Sequence, residues 1–441
     1  MAFKILSLDG GGSWALIQAR VLKDIYGDIS GHEVLRKFDL AIANSGGSLV
    51  LASLCNDMRL SAIIDVFENQ QKRQQVFSKM DLEEKLHHLA CTFRLVTDFG
   101  PKYSTRAKLT GLTSVLEDED HLYKDGEITR PIVKTYLDEI PGIIGPNYNN
   151  QDVQLVIVGY DYFRRRANFF RSRSQSAANK FSPEFFRVTL GHAIHASSNA
   201  PVNYFDDPAT VTISASSGND TRTTWYWDGA VSGFNNPVLA GLVEATTNDV
   251  KPADCRILTI GTGTGARAII TDYGTSTNPV LKDVYAANLN NNLVTTDHKF
   301  SFTRDIKELA TSILADPPDS DTFIAYSIMH PDLNPGGNIV RINPCLTPAL
   351  DAASKIYKCP PVYDTDDTSR ANFQTLLDMD MDAVEQAQVD LITELCDKFI
   401  VNDPTLPRLP NQLIRGDLKA AYLGQPYYKE ARDKWDLIGG D

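Results

Sequence analysis

Residues 38–54 read FDLAIANSGGSLVLASL: an apolar run, a serine among small residues, then a second apolar run. The first run has the length of a buried strand, and the second continues as a helix would. The same succession stands upstream. FKILSL (3–8) leads into Gly10, Gly11 and Gly12, and then into SWALIQARVLKDIYGDI (13–29), where Ala15, Ala19, Leu22 and Ile25 fall at helical spacing. Two strand–turn–helix units in a row predict an α/β fold, with a mostly parallel central sheet flanked by helices. Further strands are predicted at 153–162, 223–228, 256–263 and 338–344. Helices are predicted at 105–117, 184–197, 236–246, 304–315 and 378–400.

The chain has 441 residues, enough for a large core, and a formal net charge of −13. That balance argues against a nucleic-acid partner, which requires a concentrated basic face. It also leaves any contact with a membrane to apolar surface in the main. Six cysteines are scattered without paired short spacing, so neither a metal site nor a disulfide framework is expected, and a cytoplasmic setting fits. The N-terminal apolar run is too short for a signal peptide, and no stretch approaches a membrane span. Residues 271–299 are polar and rich in turn formers, as a surface insertion would be, and 363–374 reads as another exposed connection. The economical division is one domain over 1–350, with a helical C-terminal extension over 351–441 packed on it.

Three places carry chemistry. Ser45, in Ala43-Asn44-Ser45-Gly46-Gly47, has the setting of a nucleophile elbow, where a tight strand-to-helix turn exposes a hydroxyl. A plain turn containing a serine accounts for the same residues. The loop Asp9 to Ala15 puts bare amides at a helix N-terminus, an array that binds negative charge. It suits the oxyanion of acyl transfer. It also meets the loose pattern of a dinucleotide loop over residues 10–15, with Asp28 and Glu33 near the acidic position. Asp228, Gly229 and Ala230 end an aromatic strand, and Asn236 with Pro237 opens a helix beyond them. An aspartate there braces its own turn equally well. All three places fall at strand ends, which in a parallel sheet share one edge.

Together these residues resemble the patatin-like phospholipases, a family of serine lipid acyl hydrolases. Asp9 to Ala15, Ala43 to Gly47 and Asp228 to Ala230 are similar to its D-G-G-G-x-x-G, G-x-S-x-G and D-G-[GA] signatures, in the family's order. AIHASSNAPVNYF (193–205), RILTIGTGT (256–264) and NIVRINP (338–344) are weaker echoes. Departures are Trp14 for a basic residue, Ala15 and Ala43 for glycines, Gly46 for threonine and Ser48 for glycine.

The resemblance implies a patatin-like three-layer fold and a Ser45–Asp228 dyad without histidine. It implies an oxyanion hole from the amides of Gly10, Gly11 and Gly12, with Asp9, Ala43, Gly47, Gly229 and Ala230 as supporting motif residues. No cofactor and no metal are implied. The substrate class would be a lipid ester, in particular a phospholipid, met by transient peripheral contact with membranes. Two other readings compete: a catalytically silent lipid- or partner-binding protein of the same fold, and a nucleotide-binding enzyme using the 10–15 loop. The stretch YFRRRANFFRSRSQ (162–175) fits phosphate headgroups or a solvated hairpin with its aromatic rings in the core, and the acidic balance favours the hairpin. His192 and His195 read as structural.

Overall fold

The computed structural model describes residues 2–80, 101–117, 122–125, 128–172, 186–218, 220–265, 317–332, 337–346, 349–350, 357–401, 425 and 427–439. The expected insertion at 271–299 and the expected helix at 304–315 lie outside these residues. The main sheet has nine strands: β1 (Phe3–Leu8), β2 (Leu40–Ala43), β3 (Gln154–Asp161), β4 (Arg166–Arg171), β5 (Phe186–Arg187), β6 (Ala209–Ala215), β7 (Thr221–Asp228), β8 (Cys255–Ile260) and β9 (Ile339–Ile342). Their order is β9-β8-β1-β2-β3-β7-β6-β5, with β4 paired to β3. From β9 to β3 the pairing is parallel, whereas β4, β7, β6 and β5 join antiparallel. The sheet is therefore mixed, with its parallel half in the expected place.

Strand periodicity explains the layers. Along β1, β2 and β3, Leu6, Leu8, Ala41, Ala43, Leu155 and Ile157 enter one apolar cluster, while Ile5, Leu40, Ile42, Val156 and Val158 enter another on the opposite face. The first face is covered by α1 (Leu16–Tyr26), α2 (Ser45–Cys55), α3 (Leu60–Glu68), α4 (Thr105–Leu116) and α5 (Leu190–Ser197). The second is covered by α6 (Val238–Thr247) and α7 (Pro317–Met329). All of α2 is buried, which its unbroken apolar and small composition permits. α4 and α5 begin on side-chain caps, Ser104 accepting from the Ala107 N–H and Thr189 from the His192 N–H.

The C-terminal residues close the first face. α8 (Gln386–Ile400) sends Val389, Ile392, Leu395 and Phe399 into that cluster, and α9 (Tyr428–Ile438) adds Trp435, stacked on Phe38 at 5.9 Å. The expected connection at 363–374 is largely a helix, Asp367–Asp378: Asp366 caps it through the Ser369 N–H, and Phe373 and Leu376 are buried. The expected helix 378–400 begins only at Gln386, because the segment before it runs across the glycine loop instead.

Candidate active site

β2 ends at Ala43, Asn44 is extended at φ −130°, and Ser45 turns sharply with φ 48° before α2 begins. A non-glycine residue in that left-handed region stores roughly 1–3 kcal/mol of strain, which its surroundings must hold. Here the Ser45 N–H donates to Ser197 Oγ at 2.9 Å, and the Ser48 hydroxyl donates to the Ser45 carbonyl at 2.5 Å. The two glycines after Ser45 are sterically required. A Cβ on Gly46 would stand 2.4 Å from the Gly12 carbonyl oxygen, and one on Gly47 would stand 2.6 Å from the carbonyls of Leu8 and Asp9. The threonine that Gly46 replaces would not fit this close approach. Ala43 lies inside the strand, so a methyl there is compatible with the turn that follows.

Asp228 ends β7 opposite Gly159 of β3, which sets it beside the elbow of β2. Its Oδ1 accepts from Asn44 Nδ2 at 3.1 Å and from the Ala230 N–H at 2.9 Å. Ser45 lies beside the same carboxylate, where its side chain favours the charged form. Gly229 lets the strands close here, since a Cβ would fall 2.4 Å from Asn44 Oδ1. Burial pushes the carboxyl above the usual range, opposed by the Ser45, Ala230 and Asn44 hydrogen bonds and by the charge of Lys108.

The glycine loop is anchored from below. Asp9 makes a buried bidentate pair with Arg341, at 2.5 Å and 2.9 Å, and Arg341 also donates to Thr259 Oγ1 at 2.9 Å. Gln18 Nε2 holds the Asp9 and Ile260 carbonyls. Of the three amides expected as donors, that of Gly10 is already given to the Asn235 carbonyl at 2.8 Å, which removes it from the set. Those of Gly11 and Gly12 have no acceptor among the described residues, and neither has the Gly46 N–H in the first turn of α2. Gly12 (φ 55°) packs so closely on Met381 that a Cβ would stand 2.3 Å from its carbonyl oxygen. The Ser13 N–H donates to that same carbonyl at 3.0 Å, and Trp14 Nε1 donates to the Asp380 carbonyl at 3.1 Å. Trp14 thus ties the C-terminal segment to the loop, in the place of a basic residue.

Ser45 and Gly46 open onto a narrow pocket of about 40 Å³, walled by Leu49, Phe67, Val76, Leu112 and Phe205. The pocket also contains a lysine. Lys108 of α4 is only 1% exposed; its Nζ lies 4.2 Å from the Phe205 ring centre and 3.4 Å from both the His195 carbonyl and Asn199 Oδ1. Burial pulls its pKa well below the ordinary lysine value, and Asp228 pulls it back. The His195 ring is also buried, and its pKa is lowered well below the usual value first by burial and then by Lys108.

The structure thus brings Ser45, Asp228, Gly11 and Gly12 to one sheet edge, and sets Gly10 in a supporting position. Asn44, Lys108, Ser197 and Arg341 escape the sequence reading. Asn44 had a signal, being the variable position inside the elbow. Lys108 had none, since one lysine in a helical pattern reads as a surface residue. For the dinucleotide reading, Asp28 is engaged with Ser61 at 2.8 Å and Glu33 closes a capping box with Ser30. Among the described residues, no group of three or more His, Cys, Asp or Glu side chains is placed to hold a metal ion, and no helix is long and apolar enough to cross a membrane.

A family model described as patatin-like phospholipase matches residues 6–242, more than half of the chain, and spans the glycine loop, the elbow and the Asp228 turn. No curated protein matches the chain. Among solved structures it is similar to VipD from Legionella pneumophila, at 10% identity over 90% of this chain and 67% of that one, with a TM-score of 0.32.

Proposed function

Because the chain belongs to the patatin-like phospholipase family, we propose that it is a lipid acyl hydrolase of the phospholipase A type, cleaving carboxylic ester bonds through Ser45 and Asp228. Asp228 accepts the Ser45 proton as Oγ attacks the ester carbonyl, giving a tetrahedral oxyanion. The amides of Gly11 and Gly12, with that of Gly46, face the developing charge; one such donor is commonly worth about 3 kcal/mol. The alcohol or lysolipid leaves with the proton returned through Asp228. Water then attacks the acyl-serine by the same route, releasing the fatty acid and restoring Ser45. The raised pKa of Asp228 suits this duty, since a carboxylate is otherwise a weak base for a serine hydroxyl. The apolar pocket beside Ser45 receives the start of the acyl chain.

The observation that carries the reading is Ser45, held at positive φ, beside the buried carboxylate of Asp228 and amides that have no acceptor among the described residues. The test is release of free fatty acid from phospholipid vesicles and from a soluble short-chain ester. Wild type turns over both, and Ser45→Ala turns over neither while keeping the wild-type circular dichroism spectrum. Equal rates in the two proteins would refute the assignment.

A further inference from the structure

The turn between β3 and β4 presents three aromatic rings to solvent: Tyr162 is 46% exposed, Phe163 59%, and Trp225 of the neighbouring β7 41%. The hairpin reading of this stretch is right for the backbone and for Phe170, which is buried, but Tyr162 and Phe163 are not in the core. The rings gather on one another, with Phe163 and Trp225 at 4.8 Å and Tyr162 and Phe163 at 5.6 Å between centres. The exposed residues Arg164, Arg165 and Arg166 follow directly. Arg164 approaches Asp161 at 3.8 Å, and neither Arg165 nor Arg166 pairs with a carboxylate among the described residues.

The turn is built to hold these groups out. Asp161, itself buried, accepts the Arg164 N–H on its side chain and the Arg165 N–H on its carbonyl, both at 2.8 Å, and Arg165 closes the turn at φ 54°. Its place is equally defined. β3 runs parallel to β2, so both point their C-terminal ends to the edge that carries Ser45. Gly159 pairs with Asp228, and Tyr162 follows three residues later, roughly 10 Å further out along the strand.

We propose that this turn, with Trp225, docks the active-site edge on a bilayer rich in anionic lipid. Exposed Trp, Tyr and Phe rings beside unpaired guanidinium groups are the composition that partitions into a headgroup layer. The arginines supply charge complementarity that the molecule as a whole, at −13, does not. The proposal rests on the hydrolase reading for its purpose, since docking there brings lipid to Ser45, but its evidence is separate.

The test uses the full chain carrying Ser45→Ala, so that the vesicles stay intact. Binding to vesicles of equimolar phosphatidylglycerol and phosphatidylcholine is read by co-sedimentation and by a blue shift of tryptophan emission. Pure phosphatidylcholine vesicles are the control. Binding should favour the anionic vesicles, and Phe163→Ser and the pair Arg165→Gln, Arg166→Gln should each weaken it about tenfold or more. With Ser45 intact, the same variants should hydrolyse a soluble short-chain ester at the parent rate and vesicle lipid more slowly. Unchanged vesicle binding in both variants, equal binding to both vesicle types, or a shift in self-association in place of vesicle binding would overturn the proposal. Loss of soluble-ester hydrolysis in every protein with vesicle binding intact would sink the hydrolase reading and leave the docking surface standing.

Discussion

Ser45 and Asp228 are set by different forces, one by backbone strain and the other by burial. Asp228→Asn keeps the shape and both Oδ1 hydrogen bonds but cannot accept a proton, so kcat should fall by about four orders of magnitude. Steady-state kinetics on a soluble ester, with thermal unfolding as the control, checks this; near-wild-type turnover would remove Asp228 from the mechanism. The proposed general-base role of Asp228 needs the ionised carboxylate, so kcat/KM should fall as pH drops through a pKa above the ordinary carboxylate value of 3.8. The Lys108 charge favours that ionised form, and Lys108→Met should therefore move the acid limb to higher pH. An unmoved limb would show that the amine does not act on Asp228. Asp321 is a second raised carboxyl, pushed up to about 7 by burial first and then by Asp9. Because the folded state holds this proton more tightly than the unfolded one, stability is lost as pH rises from 3.8 towards about 7. Asp321→Asn should accordingly raise Tm at about pH 8 and leave it unchanged near pH 4, read by scanning calorimetry.

At the scale of elements, the elbow and the glycine loop behave as one unit, because Gly46 and Gly12 touch backbone to backbone. The buried Asp9–Arg341 pair holds the loop to β9. Arg341→Met leaves the Asp9 carboxyl unpaired in the core, which should cost about 3–5 kcal/mol by chemical denaturation. Adding Asp9→Asn should restore part of that loss, and the cycle isolates the pair. These two turns were legible in the sequence, since glycine runs after apolar strands have few other meanings. The donor set was not. Whether Gly10 offers its amide outward or to Asn235 depends on a residue more than two hundred positions away, and no local pattern encodes that.

For the whole molecule, the parallel half of the sheet followed from strand–helix alternation. The antiparallel half did not, because the turns after β3 and β6 reverse the chain and β5 joins the sheet edge only through tertiary pairing. Of the C-terminal helices only 378–400 was legible as one, and 363–374 reads as a connection, because the contacts that fix them lie far away in sequence. Met381 supplies the carbonyl for Ser13, and Trp435 fills the face beneath α1 by stacking on Phe38 and donating to the Tyr26 hydroxyl at 2.7 Å. Trp435→Ala should lower stability by about 3–5 kcal/mol in denaturant titration, while the pH profile of the remaining folded protein stays the same.

Labelling with a fluorophosphonate probe tests the central claim most directly, because it reports an activated serine without assuming any lipid. One equivalent of probe should attach, peptide mapping should place it on Ser45, and Asp228→Asn should slow the reaction sharply. No adduct on the wild-type protein, or an adduct at another serine, would contradict the account.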